Sequence, residues 1–203
     1  MTKYRFILLA ALLATAGANA STQTASQPPL PGKSVYQLSA TLVDQTGRKQ
    51  AWGGLRGRPR IATMFYSSCP YMCPLIIESG KAVDHALSAD ERSRLGVVMV
   101  TMDVARDTPA ALSAIALKRH IDTRRWTLLR PEAKDLRPIA AVLGVRFRAL
   151  ANGEFNHNSV LVLLDGEGRE LARTERIGAK PDPEFLAAVH AALRNPSTAA
   201  RGR

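Results

Sequence analysis

The sequence predicts one α/β domain: a sandwich with a central mixed sheet, helices flanking it, and a β-hairpin at its N-terminal side. Three observations predict this. Apolar runs at 61–66, 95–102 and 159–164 read as buried strands. Segments of helical period alternate with these runs, as parallel pairing requires. A hairpin and a closing helix come last, so the first half of the sheet is expected to be parallel and the second half antiparallel.

The first twenty residues read as an export signal. Lys3 and Arg5 form a positive start, residues 6–16 are apolar, and Ala18-Asn19-Ala20 fits a cleavage site. Cleavage after Ala20 is expected, with retention as an uncleaved anchor the alternative. Either outcome makes the protein exported and periplasmic, free or membrane-associated, where disulfides persist. Residues 21–34 are polar and proline-rich, a linker without fixed structure. The folded domain is expected over 35–194, and residues 195–203 form a mobile tail.

Within the domain, residues 35–43 alternate loosely and end in the turn Asp44-Gln45-Thr46-Gly47. A short strand around 50–52 completes the hairpin. The strand at 61–66 leads into Ser67-Ser68-Cys69-Pro70-Tyr71-Met72-Cys73-Pro74, and Pro74 opens a helix to about residue 87. The strand at 95–102 ends at Asp103. Thr108 caps a helix that begins with Pro109 and runs to about residue 120. A strand at 125–129, a helix at 132–143 and an extended stretch at 145–150 follow. The strand at 159–164 turns through Asp165-Gly166-Glu167-Gly168 into its partner at 170–174, and residues 183–193 form the last helix.

The formal charge is +11, or two fewer without Lys3 and Arg5. An exported protein does not routinely meet nucleic acid, so no nucleic-acid partner is expected. The basic residues are spread along the chain. They fit a solvated surface, or attraction to anionic lipid headgroups or an acidic partner.

The chain has two cysteines, Cys69 and Cys73. Two are too few for a disulfide scaffold, and a bridge enclosing three residues constrains little of the unfolded chain. A redox pair or a pair of metal ligands is the stronger reading. A cysteine pair between a central strand and a helix start is the thioredoxin-like arrangement. Residues four apart on a helix face the same way, so both sulfurs are within reach of one ion. Loops at the carboxyl ends of parallel strands share one sheet edge. That edge should gather Cys69 and Cys73 with Asp103, Arg106 and Asp107. His157 precedes an antiparallel strand and should join them. Two thiolates and an imidazole are a soft donor set that selects copper as Cu(I), with zinc second.

These three stretches, Cys69-Pro70-Tyr71-Met72-Cys73-Pro74, Asp103 with Arg106-Asp107-Thr108-Pro109, and His157 ahead of Asp165, resemble the Sco/SenC family in kind and order. The resemblance covers about 35–193. It implies a thioredoxin-like fold and copper, Cu(I) or Cu(II), held by Cys69, Cys73 and His157. It also implies delivery of that copper to the binuclear site of cytochrome c oxidase subunit II, or to another copper protein. A non-enzymatic copper chaperone is expected, served by a periplasmic thiol reductant. Val104 stands where the family has proline, and Asn158 where it has Ser or Thr.

Bland readings stand beside these. Asp103 and Asp107 are turn formers and caps, or supports behind the metal ligands. His157 is a ligand or a turn histidine. His85, His120 and His190 are surface residues, Met72 a gap-filler, and Trp52 and Trp126 packing residues. The functional rival is a thiol–disulfide oxidoreductase that reduces the oxidase's copper-site cysteines with Cys69 and Cys73 as its redox pair. Three residues between the cysteines rather than two, and Asn158-Ser159 where thioredoxins carry proline, count against it. A peroxidase is a weaker third reading.

Overall fold

The computed structural model describes residues 29–194, so the expected leader at 1–20, the expected linker up to residue 28 and the expected tail at 195–203 lie outside the described residues. The strands, in chain order, are β1 (Thr41–Asp44), β2 (Lys49–Ala51), β3 (Arg60–Phe65), β4 (Gly96–Thr101), β5 (Trp126–Pro131), β6 (Phe147–Ala149), β7 (Phe155–His157), β8 (Leu161–Leu164) and β9 (Glu170–Thr174). The helices are α1 (Met72–Ala86), α2 (Ala89–Arg94), α3 (Pro109–Lys118), α4 (Ala133–Val142) and α5 (Pro183–Arg194).

Seven strands form one sheet in the order β2-β1-β5-β4-β3-β8-β9. β3, β4 and β5 are parallel neighbours, while β1 joins β5, and β8 joins β3, in antiparallel fashion. This is the expected mixed sheet, with an antiparallel hairpin closing each side. Every residue of β3 and β4 is buried, as a sheet covered by helices on both faces requires. Their Ile, Val, Met and Phe side chains each contribute on the order of 1.5–3 kcal/mol by leaving water.

Helix α1 follows β3 and packs on the sheet by a close approach. A Cβ on Gly80 would meet the Trp126 ring at 2.5 Å, so glycine is required there. Four residues later, in the next turn, buried Asp84 accepts two bonds from Arg125 at 2.9 Å and one from the Trp126 indole at 2.9 Å. Trp126 is thus a packing residue with a satisfied polar tip. Helix α3 begins as its sequence predicts, with the Thr108 hydroxyl accepting from Ala111 N–H at 3.2 Å and Pro109 in the first turn.

Four local features depart from the sequence reading. Val35–Gln37 is a 3-10 turn rather than strand, because the Ser34 hydroxyl caps it at Tyr36 N–H and the Trp52 indole holds the Val35 carbonyl. Ser34 is itself buried and donates to the Glu167 carbonyl at 2.5 Å, so fixed structure begins inside the stretch assigned to the linker. Helix α2, not anticipated, is nucleated by a reciprocal cap between Ser88 and Glu91. The strand β7, also not anticipated, pairs with β6 as a separate two-stranded hairpin and carries His157 at its end.

Candidate metal centre

Both cysteines stand where the first parallel strand gives way to a helix. Backbone Cys69 N–H donates to the Tyr66 carbonyl at 3.3 Å and closes a tight turn after β3. No side-chain oxygen caps α1 at Tyr71. The Cys69 sulfur takes that part and accepts from Cys73 N–H at 3.3 Å. Pro74 falls in the first helical turn, where its missing N–H costs nothing. The Cys73 sulfur accepts from Tyr66 N–H at 3.3 Å. Both thiols are free and buried, and they line one small void with Ile77, Ile115 and Arg119.

The pair is electrostatically unequal. Burial pushes the Cys69 thiol up, but donation from Cys73, the Tyr71 N–H and the Tyr66 hydroxyl outweighs it and holds the thiol below its ordinary value. Burial pushes the Cys73 thiol well up, and the neighbouring Cys69 and Asp107 charges add to that. Cys69 is therefore the thiolate-prone sulfur and Cys73 the protonated one, an arrangement that suits a nucleophile backed by a resolving thiol. The Tyr66 phenol is pushed up to about 12, first by burial and then by its bond to Cys69 and the two sulfur charges, so it stays a neutral donor.

The two predicted aspartates come to the same sheet edge and act behind the sulfurs. Asp107 is fully buried and accepts from Ser67 N–H at 3.0 Å, from the Ser67 hydroxyl and from the Thr101 hydroxyl. It thereby ties the end of β4 to the cysteine turn. Asp103 accepts from Arg106 N–H at 3.2 Å and from the Arg106 guanidinium. The same guanidinium donates to the Gly153 carbonyl at the tip of the β6–β7 hairpin. Gly153 has φ +81°, and a Cβ there would press on Arg106 at 3.1 Å. Asp103 therefore acts through Arg106 on the hairpin that ends in His157.

His157 arrives at this edge from that hairpin. Its ring stands 6.0 Å from the Tyr66 ring, edge to face at 79°, and Phe155 packs on the same tyrosine at 5.1 Å. Its Nδ1 lies 2.9 Å from the Asn158 carbonyl. A carbonyl only accepts, so Nδ1 carries a proton, and in the neutral ring Nε2 is the nitrogen with the free lone pair. The imidazole lines a shallow cleft with Phe147 and Asn156, separate from the void that the sulfurs line with Tyr66. Among the described residues, no three His, Cys, Asp or Glu side chains stand together as a ready metal cage. The fold joins the two sulfurs and brings the imidazole to the same edge, one aromatic ring away.

Sequence reasoning missed Tyr66, Ser67 and Thr101. Tyr66 had a readable signal, since it is the first residue past an apolar strand and immediately before the cysteine stretch. Ser67 and Thr101 had none, because hydroxyls become informative only once Asp107 is known to point at them. Arg106 was foreseen at this edge, but not as a link to residue 153. Met72 is 39% exposed at the start of α1, so it fills no gap there.

A family model described as SCO1/SenC matches residues 31–193. A Stutzerimonas stutzeri protein named as a candidate copper-binding protein is 32% identical over 133 residues, which span 63% of this chain and 63% of that one. Yeast Sco1, solved with copper bound, superposes with a TM-score of 0.67 at 20% identity, covering 87% of this chain and 96% of its own. BsSco, described as having a disulfide switch and as one of the Sco family of cytochrome c oxidase assembly proteins, gives 0.67 at 17% identity over 77% and 92%. At these identities the two structures speak to the fold, which is the thioredoxin-like sandwich expected.

Proposed function

The chain belongs to the SCO1/SenC family, and from that premise we propose that it is a copper-binding metallochaperone. Reduced Cys69 and Cys73 supply two sulfur donors, and His157 supplies Nε2. The copper-binding relative and the copper-bound neighbour support the choice of metal, and the soft thiolates favour Cu(I). The observation that carries the reading is the pair of free thiols, with Cys73 N–H donating to the Cys69 sulfur, and an imidazole that has Nδ1 engaged at the same sheet edge. Binding requires both thiols to lose their protons and the β6–β7 hairpin to close past Tyr66. The acceptor is an apo copper protein, in the first place subunit II of cytochrome c oxidase. Copper passes to it by ligand exchange in the periplasm, and a thiol reductant keeps Cys69 and Cys73 open.

The test is an anaerobic copper titration of the reduced protein. Wild type should bind one copper per chain. Oxidation of the pair, or Cys73→Ser, should abolish tight binding, and His157→Ala should weaken it tenfold or more. Equal affinity in oxidised and reduced protein would overturn the proposal.

A second reading is favoured by the inequality of the two thiols: a thiol–disulfide oxidoreductase acting on the acceptor's cysteines. The Cys69 thiolate would attack the acceptor disulfide and form a mixed disulfide. The Cys73 thiol would then lose its proton and displace the acceptor dithiol, leaving Cys69 and Cys73 oxidised. His157→Ala separates the two readings, because a reductase keeps its disulfide-reducing rate and a chaperone loses copper.

A further inference from the structure

At the opposite end of the sheet from the cysteines, the strands β3, β4 and β5 begin around a cleft of about 520 Å³. The six residues of β3 separate it from the cysteine turn by about 20 Å. Its wall includes Arg48, Arg58, Arg60, Arg124, Gln50 and Asp44. The single carboxylate among these six is already engaged, since Asp44 accepts from the Thr46 hydroxyl and from Arg48. Arg124 is paired with Asp122.

Arg60 has no such partner. Its residue is 9% exposed, and its Nε donates to the Leu55 carbonyl at 2.6 Å, but among the described residues it forms no ion pair. The phenol beside it, Tyr36, is pushed up to about 12 by burial and stays neutral, so it is no counter-charge. Burial works most strongly against the Arg60 cation and the adjacent Arg58 charge adds to it, while the Tyr36 hydroxyl beside it favours the cation without supplying a full counter-charge. Arg58 likewise forms no side-chain hydrogen bond or ion pair among the described residues. The two guanidiniums converge over Gly96, where an added Cβ would meet Arg60 Nη1 at 2.7 Å and Arg58 Nε at 3.0 Å. The Gln50 side-chain amide nitrogen, a further donor on the same wall, is buried without a partner. A buried cation without a counter-ion, a like charge against it and an unused donor make an arrangement completed by an anion.

We propose that this cleft is an oxyanion site that takes a phosphate group, with Arg58 and Arg60 as its fork donors. Guanidinium forks match the oxygen spacing of phosphate. The phosphate is either free in solution or the headgroup of an anionic phospholipid, and one set of measurements distinguishes them. Isothermal titration with inorganic phosphate, against chloride at equal ionic strength, is run beside flotation with phosphatidylglycerol and with phosphatidylcholine vesicles. The proteins are wild type, Arg58→Gln, Arg60→Lys and the charge-matched surface control Lys180→Gln, each checked for folding by circular dichroism.

Saturable phosphate binding that falls tenfold or more in Arg58→Gln and is unchanged in Lys180→Gln supports the site with free phosphate as its ligand. Flotation with phosphatidylglycerol alone, lost in Arg58→Gln and kept in Lys180→Gln, supports the site with a lipid headgroup. Binding by neither probe, or binding equally reduced in Arg58→Gln and Lys180→Gln, overturns it. Arg58 is half-exposed at the mouth of the cleft, so its variant tests the site even if Arg60→Lys does not fold.

Discussion

The Tyr66 side chain contacts both His157 and Cys69, its ring edge to face with the imidazole at 6.0 Å and its hydroxyl donating to the Cys69 sulfur. The same hydroxyl accepts from Phe155 N–H at 3.4 Å. One side chain, the first after β3, thus connects the redox pair to the hairpin that carries the third donor. Tyr66 adds to the hydrogen bonds that hold the Cys69 thiol low, and its ring packs against His157.

Tyr66→Phe keeps the ring and removes the hydroxyl. The Cys69 thiolate then loses one donor, and a hydrogen bond to a charged group is worth about one pH unit. The midpoint of Cys69 alkylation by iodoacetamide, followed by mass spectrometry, should move up by about that amount. An unchanged profile would mean that the phenol does not act on the sulfur.

In the reduced wild type the two cysteines should not react together. The alkylating species is the thiolate, whose fraction rises as pH passes the group's pKa. Cys69 is held low and should react at a lower pH than a free cysteine, whereas Cys73 is pushed up and should stay protected to a higher pH. Peptide mapping across pH 6–10, a range of the order that brackets a free thiol at about 8.5, should find Cys69 modified first. Simultaneous modification would remove the electrostatic asymmetry.

Arg106 is the positioning residue for His157. Its guanidinium spans from buried Asp103 to the Gly153 carbonyl. Outer partners of metal ligands are typically worth 10–100-fold in affinity. Arg106→Ala should weaken anaerobic copper binding by about tenfold, while the alkylation profile of Cys69, which Arg106 does not touch, stays as in wild type. Arg106→Lys can keep one of the two bonds and should recover part of the loss. A variant that altered thiol reactivity as strongly as copper affinity would point to general disruption of the sheet edge instead.

Much of this arrangement is legible in the sequence, for physical reasons that also mark where legibility ends. The strands at 60–65, 96–101 and 161–164 are buried on both faces, so they are written as unbroken apolar runs and were foreseen. The edge that gathers Cys69, Cys73, Asp103 and Asp107 follows from parallel pairing alone. Helix α2 carried a readable Ser88-x-x-Glu91 cap within six polar residues, but no apolar face to draw attention to it. The hairpin β6–β7 was half seen, because Phe155-Asn156-His157 is too short and too polar to stand out from a loop. That gap matters most, since the hairpin decides how near His157 comes to the sulfurs. The carbonyl partners of Arg106 and His157 are backbone atoms, and no residue type announces a backbone acceptor. The same holds for the tie between Ser67, Thr101 and Asp107, where chain separation of 40 residues hides a direct bond.

Asp107 is the support whose removal should separate folding from chemistry. Its carboxylate is fully buried and accepts three hydrogen bonds, two of them from Ser67 in the cysteine turn. Asp107→Asn places an amide N–H₂ among those donors and leaves at least one buried donor without an acceptor, at a cost of about 1–3 kcal/mol. For a domain of this size that lowers the melting temperature by roughly 2–4 °C per kcal/mol. The substitution also removes a negative charge that disfavours the Cys73 thiolate. With the charge gone, Cys73 should ionise more easily, so its alkylation should shift to lower pH while that of Cys69 keeps its place. A melting temperature that falls with no movement of the Cys73 profile would make Asp107 a structural tie alone. Movement of that profile together with the thermal shift would show the aspartate setting the difference between the two sulfurs.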